Sequence, residues 1–325
     1  MPLISKQFLF IVGSPRSGTT MLQVLLGSHP QVATSVELTF FDEYVATWLE
    51  RWAHEKAVMD QYGFRRGLPT VWTDADMEGF LLEFLTRAYS RVIERAPGRT
   101  HVLDKNPHYS GHVHLIKRLL PGARFIHMVR DGRDVACSLR AATAMGFRFQ
   151  TLAEAGTLWR DSVLKAREAA VYTGDYLELR YEDFLGERTA HYEQVLEFCG
   201  LRADSEWIAR TLEENTFEKM KDRHAMGDPE AKAGKTHYQQ GQAGRWQREF
   251  TPGDRYAFDR IAGPLLRELG YAKSDWWAEG EVRRLTLPLH WEARRRWKLL
   301  GLGLTLARRA VTGAKLPAEF AYFDR

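Results

Sequence analysis

Phe8-Leu-Phe-Ile-Val12-Gly-Ser-Pro-Arg-Ser-Gly18-Thr-Thr20 is the stretch that decides the fold of this chain. Its opening apolar run has no polar alternation, as expected of a strand buried on both faces at the centre of a parallel sheet. Gly13 to Gly18 breaks that strand as a turn of small residues. Thr19 to Leu26 then reads as a helix that stops before Ser28-His-Pro30. Strand, glycine-bounded loop and helix in that order aim successive backbone N–H groups and a helix N-terminus at one point, a cradle for a phosphate. The glycine spacing matches the triphosphate-binding P-loop, but Thr19 stands where that motif has the Lys that reaches the β- and γ-phosphates. Arg16 and the hydroxyls of Ser17, Thr19 and Thr20 suit one terminal phosphate rather than a triphosphate. The plain alternative is a tight structural turn, but an Arg among small hydroxylic residues has no packing purpose.

Outward from this unit the pattern repeats. Thr100 to Leu103 is a short strand candidate followed by Asp104-Lys-Asn-Pro107. A helix over Val113 to Leu120 closes at Pro121-Gly122. Arg124 to Val129 is another apolar strand, ending in Arg130-Asp-Gly-Arg-Asp134, with a helix over Val135 to Ala142. Tyr176 to Leu179 is a third return strand, before Arg180-Tyr-Glu-Asp-Phe184. Strands alternating with helices predict a three-layer α/β domain, a P-loop-like fold with a central parallel sheet covered on both faces. Thr39 to Ala96 has few strand signals. Trp48 and Trp52, with Phe80, Phe84 and Tyr89, predict helices there, their aromatics mostly core. Such a helical insertion, about 39–96, would overhang the strand C-terminal ends, where open α/β sheets bind ligands. The expected organisation is one domain over 1–275 and a basic helical tail over 276–325.

Composition narrows the function. The 325 residues are 44% hydrophobic and 27% charged, the profile of a globular protein. Net charge is +4, but eight Arg or Lys against two Glu lie between Glu281 and Ala310. The remainder is close to neutral, so no nucleic-acid surface is expected. Cys137 and Cys199, the only two cysteines, sit in apolar helix-like runs, which implies a reducing compartment and no disulfide framework. Phe8 to Val12 is too short for a secretory or membrane segment. A cytoplasmic location is expected.

Two segments together resemble the sulfotransferases that use PAPS (3′-phosphoadenosine 5′-phosphosulfate). Ser14-Pro-Arg-Ser-Gly-Thr-Thr20 looks like their 5′-phosphosulfate loop. Phe125-Ile-His-Met-Val-Arg-Asp-Gly-Arg-Asp-Val-Ala-Cys-Ser138 resembles the strand-loop-helix that grips the donor's 3′-phosphate through an Arg and a Ser, here Arg130 and Ser138. An Arg and a helix hydroxyl can converge on one dianion. The similarity is closest to the tyrosylprotein sulfotransferase branch and its bacterial relatives, from about Leu9 to Tyr271, patchy over 39–96. In that branch a Glu after a His-Pro turn is the general base, which implies Glu37. A Lys in an Asn-Lys-Asp-Pro-like segment implies Lys105, and a Tyr after the third strand implies Tyr181. A late donor-binding Lys before Gly244-Arg-Trp246 implies Lys235. Ala142 and Thr39 replace two Arg residues of the branch, with Arg140 near the first, and no N-terminal anchor like that of the Golgi enzymes is seen. The Thr39 replacement and the missing anchor count against a protein-tyrosine acceptor.

Each of these residues has a plain alternative. Glu37 is a helix-start acid, Lys105 a surface lysine, Arg130 an ion-pair partner of Asp131 or Asp134, Ser138 a helix serine, Tyr181 a core tyrosine and Lys235 a solvated loop residue. His112-Val-His114 reads as solvated helix rather than metal ligands, since i,i+2 rings point to different faces.

The resemblance implies in-line transfer of a sulfonate from PAPS to an acceptor hydroxyl, with release of PAP. Glu37 would be the base, Lys105 and Arg16 would stabilise charge, and no metal is required. The rival readings are a small-molecule kinase of P-loop type, disfavoured by Thr19 and by the lack of a metal-binding Asp pair, and a non-catalytic nucleotide-binding protein at a membrane. Trp291 to Arg309 joins cationic clusters to a short apolar run. That pattern fits peripheral membrane contact, a helix packed on the domain, or a subunit contact such as a homodimer.

Overall fold

A computed structural model describes residues 6–143, 151–222, 243–278, 284–289 and 292. The chain divides into two compact units, 1–245 and 246–325. The first is built on five parallel strands: β1 (Gln7–Gly13), β2 (Val32–Thr34), β3 (His101–Lys105), β4 (Arg124–Val129) and β5 (Tyr176–Arg180), in the spatial order β2-β3-β1-β4-β5.

The apolar run of β1 is central for the reason its composition implies. Phe8, Phe10 and Val12 enter one core with Val102 and Phe125. Leu9 and Ile11 enter the opposite core with Leu103, Ile126 and Met128. Successive side chains of a strand point to opposite faces, so only an all-apolar run can fill both. The first face is covered by α2 (Ala46–Tyr62), α3 (Asp74–Glu94), α4 (Val113–Leu119) and α6 (Leu152–Arg167). On α3, Met77, Leu81, Leu85, Tyr89 and Val92 recur at helical spacing, and all are buried. Thr73 and Asp76 cap that helix reciprocally. The second face is covered by α1 (Thr19–Gly27), α7 (Tyr181–Gly186), α8 (Arg188–Cys199) and α9 (Ser205–Glu214).

The expected strands are present with small shifts, and two differences affect the site. β2, three residues long, went unseen. Its register comes wholly from β3, with Val32 opposite His101 and Thr34 opposite Leu103. β3 also runs on through Lys105, which pairs with Ile11, so this lysine ends a strand instead of lying in the loop after it. Over 39–96 the chain is helical as expected, opening with a π-helical turn over Phe40–Val45. Parallel order puts the ends of all five strands on one edge, and the loops leaving them build the site.

α5 (Gly132–Thr143) and α10 (Phe217–Asp222) complete the first unit. The second unit holds α11 (Trp246–Glu249) and α12 (Pro252–Glu268). α12 is capped by Thr251 with Asp254, and Phe250 lies on Phe258 at 5.5 Å between ring centres. The basic tail beyond 292 lies outside the described residues. Among the described residues no helix is long and apolar enough to cross a membrane. Cys137 and Cys199 are both buried, and neither forms a disulfide among the described residues.

Candidate active site

The loop after β1 turns back on itself: Arg16 has φ 72° and Gly18 φ 94°. Gly18 is demanded twice over. It lies in the left-handed region, and a Cβ there would stand 2.5 Å from the ring of Tyr181. Ser110 pins the strand end, accepting from Gly13 N at 3.0 Å and donating to Pro107 O at 2.8 Å. Ser17 is fully buried, and its Oγ has no hydrogen-bond partner. A buried hydroxyl is seldom left unmatched. At the mouth of α1, beside Thr19 and Thr20, Ser17 Oγ fits an anionic oxygen supplied by a ligand.

Arg130 leaves the end of β4 and Ser138 lies two turns into α5. Both are nearly buried, at 8% and 6% exposure. Arg16 reaches across and donates from Nε to Ser138 Oγ at 3.0 Å, and Arg130 donates to the Arg16 carbonyl at 3.2 Å. The Arg130 guanidinium lies 4.5 Å over the Tyr181 ring. Burial lowers the Arg16 pKa, and nearby Arg130 lowers it further while Glu37 opposes. The Asp131 carboxylate is engaged by Arg133 at 2.7 Å, and Asp134 accepts from Gly244 N at 2.7 Å.

Sequence reasoning missed Trp159. Its indole donates to the Arg130 carbonyl at 3.0 Å, and its ring packs so tightly that a Cβ on Gly132 would meet it at 2.4 Å. A lone Trp on an amphipathic helix carries no signal for such a role.

On the other side of the loop, fully buried Lys105 donates to Thr20 Oγ1 at 3.2 Å and to the Glu37 carboxylate. Burial lowers the Lys105 pKa, and Glu37 pulls it back up. Glu37 sits in the turn between β2 and the π-helical turn, with its side chain 37% exposed. It is therefore open to an incoming molecule. The fold thus gathers Arg16, Ser17, Gly18, Thr19, Thr20, Glu37, Lys105, Arg130, Ser138 and Tyr181 around one loop. Lys235 lies outside the described residues. His114 Nδ1 lies 2.7 Å from the Tyr172 hydroxyl. Among the described residues no group of three or more His, Cys, Asp or Glu could hold a metal.

Residues 9–205 match the sequence profile described as the Sulfotransferase family. The chain belongs to the sulfotransferase family. Human protein-tyrosine sulfotransferase 1 is 30% identical over 168 residues, 50% of this chain and 41% of the human one. Chicken protein-tyrosine sulfotransferase 2 is 27% identical, over 62% of this chain and 52% of its own. An uncharacterized protein of Aquifex aeolicus is 32% identical over 64% of this chain and 27% of its own length. The matches thus span from about a quarter to about half of these relatives. Two solved structures share the fold. A mouse sulfotransferase complexed with PAP has a TM-score of 0.54 at 16% identity, covering 82% of this chain and 87% of that one. The sulfotransferase domain of a Synechococcus olefin synthase has 0.50 at 22% identity, covering 79% and 94%.

Proposed function

We propose that this sulfotransferase-family chain moves a sulfonate group from PAPS to an acceptor hydroxyl, releasing PAP. The observation that carries the reading is the placement of two phosphate-suited clusters on either side of Arg16, with a lysine–carboxylate pair next to the same loop. PAPS would supply a sulfonate on a phosphate leaving group. The Gly13–Gly18 loop and the N-terminus of α1, with Ser17, Thr19 and Thr20, hold its 5′ end. Arg130 and Ser138 hold the 3′-phosphate, and Tyr181 supports Arg130. Glu37 takes the proton as the acceptor oxygen bonds to sulfur. Lys105 and Arg16 balance the charge left on the 5′-phosphate oxygen when its bond to sulfur breaks. These cations do in the pocket what a metal does in phosphoryl transfer, so no metal is needed.

The test is calorimetry with PAP and with ATP, each with and without EDTA, followed by turnover of radiolabelled PAPS with 2-naphthol, a tyrosine peptide and a long-chain alcohol. PAP should bind at low micromolar Kd or tighter, unaffected by EDTA and well ahead of ATP, since two separate anion grips act on it. Equal affinity for ATP would return the reading to a kinase.

Arg130→Ala should weaken PAP binding about ten- to a hundredfold, the worth of a charge-assisted contact of roughly 1.5–3 kcal/mol. Contacts remote from the reacting sulfur act alike in ground and transition states, so kcat at saturating PAPS should change little. Unaltered PAP affinity would make Arg130 a structural residue.

A further inference from the structure

We infer that Tyr109, assisted by Asn106, is a positioning residue that holds the turn carrying Glu37 by gripping its backbone. This rests on Glu37 being the base. Glu37 stands on a turn with no ladder of its own, between the end of β2 and the π-helical turn. On one side Gln23 of α1 donates to the Ser35 carbonyl at 2.6 Å. On the other, the last residue of β3 and the stretch just after it close on the turn residue by residue. Lys105 meets the Glu37 carboxylate, Asn106 Nδ2 lies 3.3 Å from the Leu38 carbonyl, and Tyr109 donates its hydroxyl proton to that same carbonyl. The Tyr109 oxygen also accepts from Phe40 N at 2.9 Å. One phenol thus fixes both the carbonyl and the amide that flank Thr39, two residues past Glu37.

The grip is rigid because its parts are buried. Tyr109 is 0% and Asn106 1% exposed. The Tyr109 ring is wedged between Phe10 and Phe41, with centres at 6.0 and 5.4 Å. Asn106 Oδ1 is itself occupied by His108 N at 3.0 Å. A buried hydroxyl bonded on both sides has no water to turn to, so it specifies where the backbone sits. Catalysis by a carboxylate is sensitive to such placement, because a displacement of about 1 Å can change rate by about a hundredfold. The short run Asp104-Lys-Asn-Pro-His-Tyr109 therefore does two jobs. Lys105 faces the reacting groups, and Asn106 with Tyr109 keeps the base where Lys105 expects it.

Tyr109→Phe is the discriminating variant, since it keeps the ring and deletes only the hydroxyl. Amide hydrogen exchange over residues 36–42 should speed up while the loop over 13–20 and the affinity for PAP stay unchanged. With 2-naphthol and saturating PAPS, kcat should fall about ten- to a hundredfold with the KM for PAPS unaltered. In a Glu37→Gln background, adding Tyr109→Phe should change kcat no further, because a residue acting only through Glu37 has nothing left to act through. Unchanged exchange over 36–42 in Tyr109→Phe overturns the inference, whatever the turnover. So does a full additional loss of rate in the double variant. Full activity of Glu37→Gln alone would instead remove the base assignment, and the exchange result would still decide whether Tyr109 holds the turn.

Discussion

Glu37→Gln should lower kcat for sulfonate transfer by about 10²–10⁴-fold, the usual share of a general base. Gln keeps the size and can still receive the Lys105 hydrogen bond, so the pocket should keep its shape. What it lacks is the capacity to hold the acceptor's proton. Glu37 does not touch Arg130, Ser138 or the glycine loop's backbone, so PAP affinity should stay within about twofold. Rate and affinity measured on the same preparation separate the two effects. Retention of more than about a third of the wild-type kcat would exclude Glu37 as the base. Joint loss of turnover and PAP binding would point to a disordered site. The contrast with Arg130→Ala is the informative part, since the proposal gives one residue the chemical step and the other the hold on the donor.

Asp104→Asn should have the second large effect, on stability. Asp104 is fully buried beside Lys105. Its Oδ2 accepts from Tyr89 at 2.7 Å and lies 3.3 Å from the Tyr109 hydroxyl, while Oδ1 has no partner. Burial raises its pKa from 3.8 to about 7, more than the two tyrosines and Lys105 can offset. A carboxyl whose folded pKa is raised contributes stability that is fully present below the unfolded pKa and is lost as pH rises through the folded one. The relevant window is therefore about pH 4 to 7, and the loss across it is about 4 kcal/mol. Glu178, held well below the usual carboxylate range by Arg167 and His127 against the opposing effect of its burial, acts with the opposite sign. The test must therefore be a difference. Urea denaturation of wild type and Asp104→Asn at several pH values should show the variant gaining on wild type as pH rises to about 7, then a constant gap. A gap independent of pH would mean that Asp104 does not titrate in that window.

The parts of this fold that sequence made legible are those whose purpose is local. The Phe8–Val12 run, the glycines and hydroxyls after it, and the Arg130–Ser138 segment each lie within a dozen residues, so the central strand and the residues gathered around its loop are legible in the sequence. Thr34 and Lys105 show where that ends. Three residues of β2 carry no periodicity, and the extension of β3 through Lys105 depends on Ile11 lying opposite. Trp159, Tyr109 and Asn106 were silent because their partners are carbonyls and amides brought close only by the folded chain. Any residue can offer a carbonyl, so nothing in the sequence marks which one will be held. Of the aromatics singled out in 39–96, Trp52 and Tyr89 are buried and Trp48 and Phe84 pack partly buried against the same core, while Phe80 is exposed.

The bond from Arg16 to Ser138, with Arg130 resting on the Arg16 carbonyl, has a consequence for selectivity. The two ends of the proposed nucleotide pocket share one backbone residue, and that residue is held in a left-handed conformation that L side chains rarely adopt. A change that lets Arg16 relax would disturb both ends together. Discrimination among nucleotides is then a property of the pair, and neither end can drift towards a new ligand while the other keeps its old one.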